Sequence, residues 1–544
     1  MATLFINENT IRAKISQSTE DIQALAYLRE VVPSIHQNRK GDEIAVSSKF
    51  ISEMFTAFNK DINTAPPRIK EIYEKNTSIE DRLDRLRDVG SYYDPEHFLM
   101  KHQQMGRAIA KEFDKFGFFY SVRAGKTPLL LQIINDNPDI KWLIVCPLVL
   151  MDNAWLEDAN KFFPGMKIVK LHAATRAKRM KAFQEKANVY IINTESFCAY
   201  EKEVRALGIT GVALDESSSL KNPSSKFSKA FVKFCQEMKK VYLLSGTPAP
   251  NGMHEYYTQM RCLDWHIVPQ SFTQFERGFF NNISYNPQFK QLVIRPDMEP
   301  VLKHLLSLIS IYVDASDYFE FPGRDFTSIN IPMPDEVKKH YKQMVNDMYV
   351  EFSEDEQITA PSAAAKLNKL RQISSGFIYN EEGVPTLIDM FKFNKLMDVL
   401  YELGNEQVLI WANYKYEFEI IKQLLGDKCR IVNGTVNIQE KNESIRLFKQ
   451  GKIQYLVANP ASADKGLTLT NAHLCVYFSI GYSYELYHQS VARIYGGKHS
   501  QPKFCHYYIF TVEGSLDSKI YQSVLQKGDT VMQILDYIRV RGGI

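Results

Sequence analysis

Cysteine is scarce in this chain. Seven residues (Cys146, Cys198, Cys235, Cys262, Cys429, Cys475 and Cys505) are scattered over 544, and none forms a Cys-x-x-Cys pair. That spacing excludes a disulfide framework and a structural zinc site, and it points to a reducing compartment, the cytoplasm. Long apolar runs are also missing. The longest, Leu143 to Met151, is interrupted by Pro147 and is far too short to cross a bilayer, and no basic-then-apolar leader opens the chain. Neither a membrane partner nor secretion is therefore expected. A strong charge of either sign is absent too, because 66 Lys and Arg stand against 63 Asp and Glu, for a net charge of +3. So weak a global field means that any nucleic-acid partner has to be met by local basic patches. Low-complexity tracts and short-period repeats are lacking as well.

What is present reads as a large globular enzyme. Hydrophobic residues make up 45% and charged residues 24%, and 544 residues exceed what one core can serve, so two or three domains are expected. The runs Trp142–Cys146, Val189–Ile192, Val212–Leu214 and Val241–Leu244 predict buried strands alternating with helices, the pattern of a parallel α/β sheet. Gln407–Trp411, Gln454–Ala458 and Leu474–Phe478 predict a second such unit. The expected division is 1–95 as an N-terminal accessory domain, 96–265 as the first α/β domain, 266–390 as a helical linker or protrusion, and 391–544 as the second. The run Asp81 to Arg87 reads as a solvated helix face. Phe272, Phe275, Phe279 and Phe280 fit either a wedge or, by the ordinary preference of aromatics, a core.

Two short motifs carry chemistry. Ser121-Val122-Arg123-Ala124-Gly125-Lys126-Thr127 precedes an apolar, helix-like stretch. In a phosphate-binding loop Gly125 would let the backbone approach, Lys126 would supply a point charge, and Thr127 would offer a hydroxyl to magnesium. The full loop pattern wants glycine where Tyr120 stands, and a bare Gly-Lys-Thr is common by chance. Roughly ninety residues of alternating pattern later, Asp215 and Glu216 follow an apolar strand. Asp215 could hold a metal through water, and Glu216 could polarise an attacking water. A solvated helix start is the plain alternative for such a pair.

Taken in order, Gly125-Lys126-Thr127, Asp215-Glu216 with Leu220-Lys221-Asn222, Ser245-Gly246-Thr247-Pro248, Leu367 to Ile373, Gly466-Leu467-Thr468 and Gln489-Ser490-Val491-Ala492-Arg493 resemble the Swi/Snf-like branch of superfamily 2 helicases across roughly residues 95 to 525. The resemblance implies two tandem RecA-like parallel-sheet domains with an ATP cleft between them, plus a small N-terminal domain and a helical insertion. It implies ATP and Mg2+ as cofactors, with Arg123, Ala124, Gly125, Lys126, Thr127, Gly466 and Gln489 at the nucleotide and Thr127 and Asp215 at the metal. Lys126, Asp215, Glu216 and Arg493 would be catalytic, Arg493 as the finger that reaches the γ-phosphate. Gln103 resembles the adenine-reading glutamine, with Gln104 competing for that role and a polar helix start as the plain reading. Pro147, Asn193, Thr194, Ser245, Thr247 and Ser462 would line the nucleic-acid track, though the first three could be ordinary strand-end turns.

One departure concerns Gly496, which stands where the family places a second arginine. A glycine supplies no charge, so turnover is expected to be intact but reduced. The resemblance further implies an ATP-dependent translocase on duplex DNA that remodels forks and four-way junctions. It would be phage-like or bacterial, monomeric and cytoplasmic, in the host if phage-encoded. The alternatives are an ATP-driven remodeller that displaces proteins from nucleic acid and a catalytically weak DNA-binding scaffold.

Overall fold

The computed structural model of the chain describes residues 3–6, 10–16, 18–32, 35–37, 40, 42–47, 50–58, 60–61, 70, 79–88, 93–284, 291–354, 360–462, 468–497 and 500–537. These form two compact units, one of residues 3–284, 291–318 and 531–537, the other of residues 319–530.

The first unit opens with a small antiparallel sheet of β1 (Thr3–Ile6), β2 (Thr10–Lys14), β3 (His36–Gln37) and β4 (Glu43–Ser47) in the order β1-β2-β4-β3. In β2 the buried residues Ile11 and Ala13 alternate with exposed Arg12 and Lys14, the period-2 pattern of a strand with one wet face. This sheet is fastened to the loop 264–266, where the Thr10 hydroxyl meets His266 Nε2 at 2.9 Å and Ser47 Oγ donates to Asp264 Oδ2 at 2.8 Å. The run Asp81–Arg87 lies within the helix Ile79–Arg87, as expected.

The main sheet has seven parallel strands: β5 (Lys115–Tyr120), β6 (Trp142–Val145), β7 (Ile168–Lys170), β8 (Val189–Ile192), β9 (Gly211–Asp215), β10 (Lys240–Leu244) and, beyond the two-stranded β11 (Phe280–Asn282) and β12 (Leu292–Ile294), β13 (Ser310–Val313). Their order is β13-β5-β10-β9-β6-β8-β7. The central strands are buried along their whole length because helices cover both faces of such a sheet, which is why they read as unbroken apolar runs. Every strand of the sheet ends at the same edge, and there its loops converge. Phe275, Phe279 and Phe280 are buried, so this aromatic group is core and not a wedge.

The second unit is a six-stranded parallel sheet. It consists of β14 (Arg324–Ile331), β17 (Val408–Trp411), β18 (Cys429–Val432), β19 (Tyr455–Ala458), β20 (Leu474–Tyr477) and β21 (Cys505–Val512) in the order β14-β21-β20-β17-β19-β18. A short antiparallel pair, β15 (Phe377–Tyr379) and β16 (Pro385–Leu387), and the helices Asp335–Glu354 and Ala360–Ser374 precede β17. The stretch 266–390 thus holds helices but also edge strands of both large sheets, β13 of the first and β14 of the second.

Candidate functional site: one edge of the first sheet

β5 delivers the phosphate-loop candidate. Its last residue, Tyr120, is followed by a tight loop in which Arg123 has φ 72° and Gly125 φ 73°, both left-handed, and the helix Lys126–Asn135 starts directly afterwards. Gly125 is needed at its position on two grounds. Its φ suits glycine, and a Cβ there would fall 2.1 Å from Gln103 Nε2. Lys126 and Thr127 therefore stand at a helix N-terminus, where free backbone N–H groups and the helix dipole favour an anion. The Lys126 ammonium donates to the carbonyls of Tyr120 at 3.0 Å and Ser121 at 3.5 Å.

The loop is braced from the helix Lys101–Glu112. His102 Nε2 meets Ala124 O at 2.8 Å, and Gln103 Nε2 donates to Gly125 O at 2.8 Å while its carbonyl accepts from Met100 N at 2.8 Å. Burial lowers the His102 imidazole to about 4 despite the partial offset from the Ala124 carbonyl, so it is neutral at physiological pH. Both N–H groups of Gln104 are used, on the carbonyls of Asp94 and Leu99. Of the two glutamines that compete for an adenine edge, Gln103 thus sits against the loop, with one amide N–H left after its bond to Gly125.

β9 carries Asp215 and Glu216. Asp215 is buried, and its Oδ2 accepts from the Trp155 indole at 3.0 Å while Oδ1 accepts from Glu216 N at 3.1 Å. Glu216 has φ 61°. Among the described residues Glu216 and Arg123 are the two non-glycines with positive φ, and each such conformation costs on the order of 1–2 kcal/mol. Strain confined to the two candidate motifs marks this edge independently of any motif.

β10, paired directly with both β5 and β9, brings the third motif between them. Ser245 Oγ donates to Glu216 Oε2 at 3.4 Å, and Thr247 N donates back to Ser245 Oγ at 3.2 Å. A Cβ on Gly246 would lie 3.4 Å from Val122 N and 3.5 Å from Tyr120 O, so this loop rests on the phosphate-loop backbone. With neighbouring strands about 4.8 Å apart, the loop after β5 and the acids after β9 lie about 10 Å apart, a spacing a triphosphate can bridge.

Two residues absent from the sequence reading tie these loops together. Trp155, fully buried in a π-helical segment Met151–Leu156, holds Asp215. Gln259, 1% exposed, accepts from Ser217 Oγ at 2.7 Å and donates to Pro248 O at 2.8 Å, joining the acidic box to the Ser-Gly-Thr-Pro loop. Neither stands in a local pattern; only the fold brings it to the edge.

The remaining track candidates divide by unit. Pro147 follows β6, and Asn193 and Thr194 follow β8, at the same edge as the loops above. In the second unit Ser462 follows β19, and its carbonyl accepts from Lys441. Gly466 lies outside the described residues. Gln489, on the helix Tyr484–Val491, and Arg493, in the turn just after it, are buried, and Arg493 O accepts from Leu469 N at 2.8 Å. Beyond Arg493 the chain is pinned by Tyr495, whose ring stacks on Phe321 at 5.0 Å and lies under the Arg324 guanidinium at 4.3 Å. No group of three or more His, Cys, Asp or Glu that could hold a metal on its own occurs among the described residues. A nucleotide-borne metal needs less, and the donors fit one: the Thr127 hydroxyl and an Asp215 carboxylate whose orientation the Trp155 N–H fixes.

The model of the SNF2-related domain matches residues 17–376, and that of the helicase conserved C-terminal domain matches residues 391–496. Protein p41 of Acyrthosiphon pisum secondary endosymbiont phage 1 is 26% identical over 394 residues, 68% of this chain and 82% of that protein. The ATP-dependent helicase/translocase YwqA of Bacillus subtilis is 23% identical over 402 residues, 70% of this chain but 41% of its own length. The Sulfolobus solfataricus SWI2/SNF2 ATPase core in complex with dsDNA aligns with TM-score 0.37 and 18% identity over 80% of this chain and 95% of that one. The chain belongs to the SNF2-related family of ATP-dependent helicases, with a helicase C-terminal domain as its second part.

Proposed function

We propose that this ATPase tracks on duplex DNA and remodels branched DNA such as forks and four-way junctions. The observation that supports this reading best is the convergence at one sheet edge of the left-handed loop before Lys126, the Asp215–Glu216 pair and the Ser245–Thr247 loop, with both strained non-glycine residues among them. In this reading the backbone of Arg123, Ala124 and Gly125 and the ammonium of Lys126 bind the ATP phosphates, and Gln103 faces the base. Mg2+, bound through Thr127 and Asp215, would neutralise phosphate charge. Glu216 orients and deprotonates the attacking water, its carboxylate steadied by the Ser245 hydroxyl. The family resemblance assigns Gly466 and Gln489 of the second unit to the nucleotide and Arg493 to stabilising the transferring charge. Pro147, Asn193, Thr194, Thr247 and Ser462 meet the DNA backbone without reading bases, so binding is independent of sequence and weakens steeply with salt.

The test compares ATP turnover and strand exchange on single-stranded, duplex, forked and four-way DNA for wild type and Lys126→Ala. The reading expects turnover stimulated by duplex DNA and junction processing by the pure protein, both lost in Lys126→Ala. DNA-stimulated turnover without junction processing would favour a protein-displacing remodeller. Absence of any turnover would favour a DNA-binding scaffold.

A further inference from the structure

The chain as a whole carries a net charge of only +3, yet residues 167–186 hold seven Lys and Arg against one Glu, a local excess of six. Most of these cations lie on the helix Arg176–Phe183, which links β7 to β8. Its inner side is anchored: the Phe183 ring packs on Tyr200 at 5.7 Å, the Arg179 guanidinium lies over the same ring at 5.2 Å, and Arg179 Nη2 donates to Ala173 O at 2.8 Å. Arg176, Lys178 and Lys181 are exposed, as is Lys186 just beyond the helix. None of these four forms an ion pair among the described residues; the neighbouring carboxylate of Asp152 is taken by Lys170 at 2.8 Å.

The helix also begins on cations. Its first turn has no acidic residue, and Arg176 and Lys178 stand at the end where the helix dipole disfavours positive charge. Such an arrangement costs stability unless an anion lies opposite. That N-terminus lies at the strand-end edge. β7 runs parallel to β8, and Leu171 N bonds Ile191 O at 2.9 Å, so the loop leading into the helix leaves the sheet at the same edge as Asn193 and Thr194, one strand farther out.

We propose that the exposed basic surface of the helix Arg176–Phe183, which starts at the strand-end edge and runs back along the outer flank of the sheet toward Lys186, is a second DNA-phosphate contact that grips a duplex arm beyond the track. This rests on the DNA-tracking reading above and adds to it a surface for the extra arm of a branched substrate. The charges are spread over the exposed surface of the helix and the turn after it, which suits a phosphate backbone. Lysines acting as point charges grip phosphates without reading sequence.

The experiment measures binding by fluorescence anisotropy over a salt series, to a duplex of one helical turn and to a four-way junction. It uses wild type, the variant Arg176→Gln/Lys178→Gln/Lys181→Gln/Lys186→Gln, and the charge-preserving Lys178→Arg/Lys181→Arg. The quadruple variant should lose about tenfold or more in junction affinity. The slope of its log affinity against log salt should become shallower by about three and a half, at about 0.9 for each of the four lost contacts, while affinity for the short duplex stays within about threefold. The arginine pair should bind as wild type. Should the quadruple variant fold poorly, Lys178→Glu alone should shift junction binding in the same direction. An unchanged junction affinity and slope overturns the proposal, as does an equal loss on both DNAs, which would make the helix part of the track. If wild type itself shows no salt-dependent DNA binding, the DNA-tracking reading fails along with it.

Discussion

At the scale of single residues, the site depends on side chains that no motif contains. The Trp155 N–H holds Asp215 Oδ2 at 3.0 Å and thereby decides how the carboxylate faces the loop after β5. Partners of this kind typically tune metal affinity 10- to 100-fold. Trp155→Phe, which keeps the ring and removes the N–H, is expected to raise the magnesium concentration for half-maximal ATP turnover by about tenfold; an unchanged magnesium titration would show that Asp215 needs no such support. His102 makes a second prediction. An unfolded imidazole titrates near 6.5, whereas burial keeps this one neutral down to about 4, so between those values the unfolded chain binds the additional proton and stability falls as pH drops. The loss should be on the order of 3 kcal/mol and should be absent above pH 6.5. Denaturant midpoints between pH 7 and 4.5 should fall less steeply in His102→Gln, and identical slopes would contradict the assignment.

At the scale of elements, legibility followed burial. β6, β8, β9, β10, β17, β19 and β20 were readable because central parallel strands are wet on neither face and appear as Val-, Ile- and Leu-rich runs. β14 was not, since as an edge strand it is largely exposed over Arg324–Ile331 and looks like loop. β5 was hidden by its composition, Lys-Phe-Gly-Phe-Phe-Tyr, with a glycine inside the strand. The same division holds for the site. Lys126, Asp215, Glu216 and Ser245 announced themselves by residue type and order, whereas the left-handed turn at Arg123 and the Gln259 bridge exist only once β5, β10 and β9 lie side by side. Removing that bridge is informative: Gln259→Leu fills the same space but strips the Ser217 hydroxyl and the Pro248 carbonyl of partners, at about 1–3 kcal/mol for each. The first unit should melt earlier, and the ratio of DNA-stimulated to basal ATP turnover should fall by more than the basal rate itself. A stability loss with an unaltered ratio would make Gln259 purely structural.

At the scale of the whole molecule, a nearly neutral chain keeps its charge in patches, and the strongest one flanks the edge where the candidate motifs meet. The small N-terminal sheet is fixed to the first unit through Thr10–His266 and Ser47–Asp264, which makes it a built part of that unit. The second unit bears Arg493 and, three residues on, Gly496. If that glycine limits turnover, Gly496→Arg should raise the DNA-stimulated rate severalfold, and an unchanged rate would mean that Arg493 suffices. The most direct test of the central claim is steady-state ATP turnover, with and without duplex DNA, in wild type and Glu216→Gln. The account predicts a wild-type rate that rises on adding DNA and a variant at least about a hundredfold slower under both conditions; equal turnover in the two proteins would contradict it.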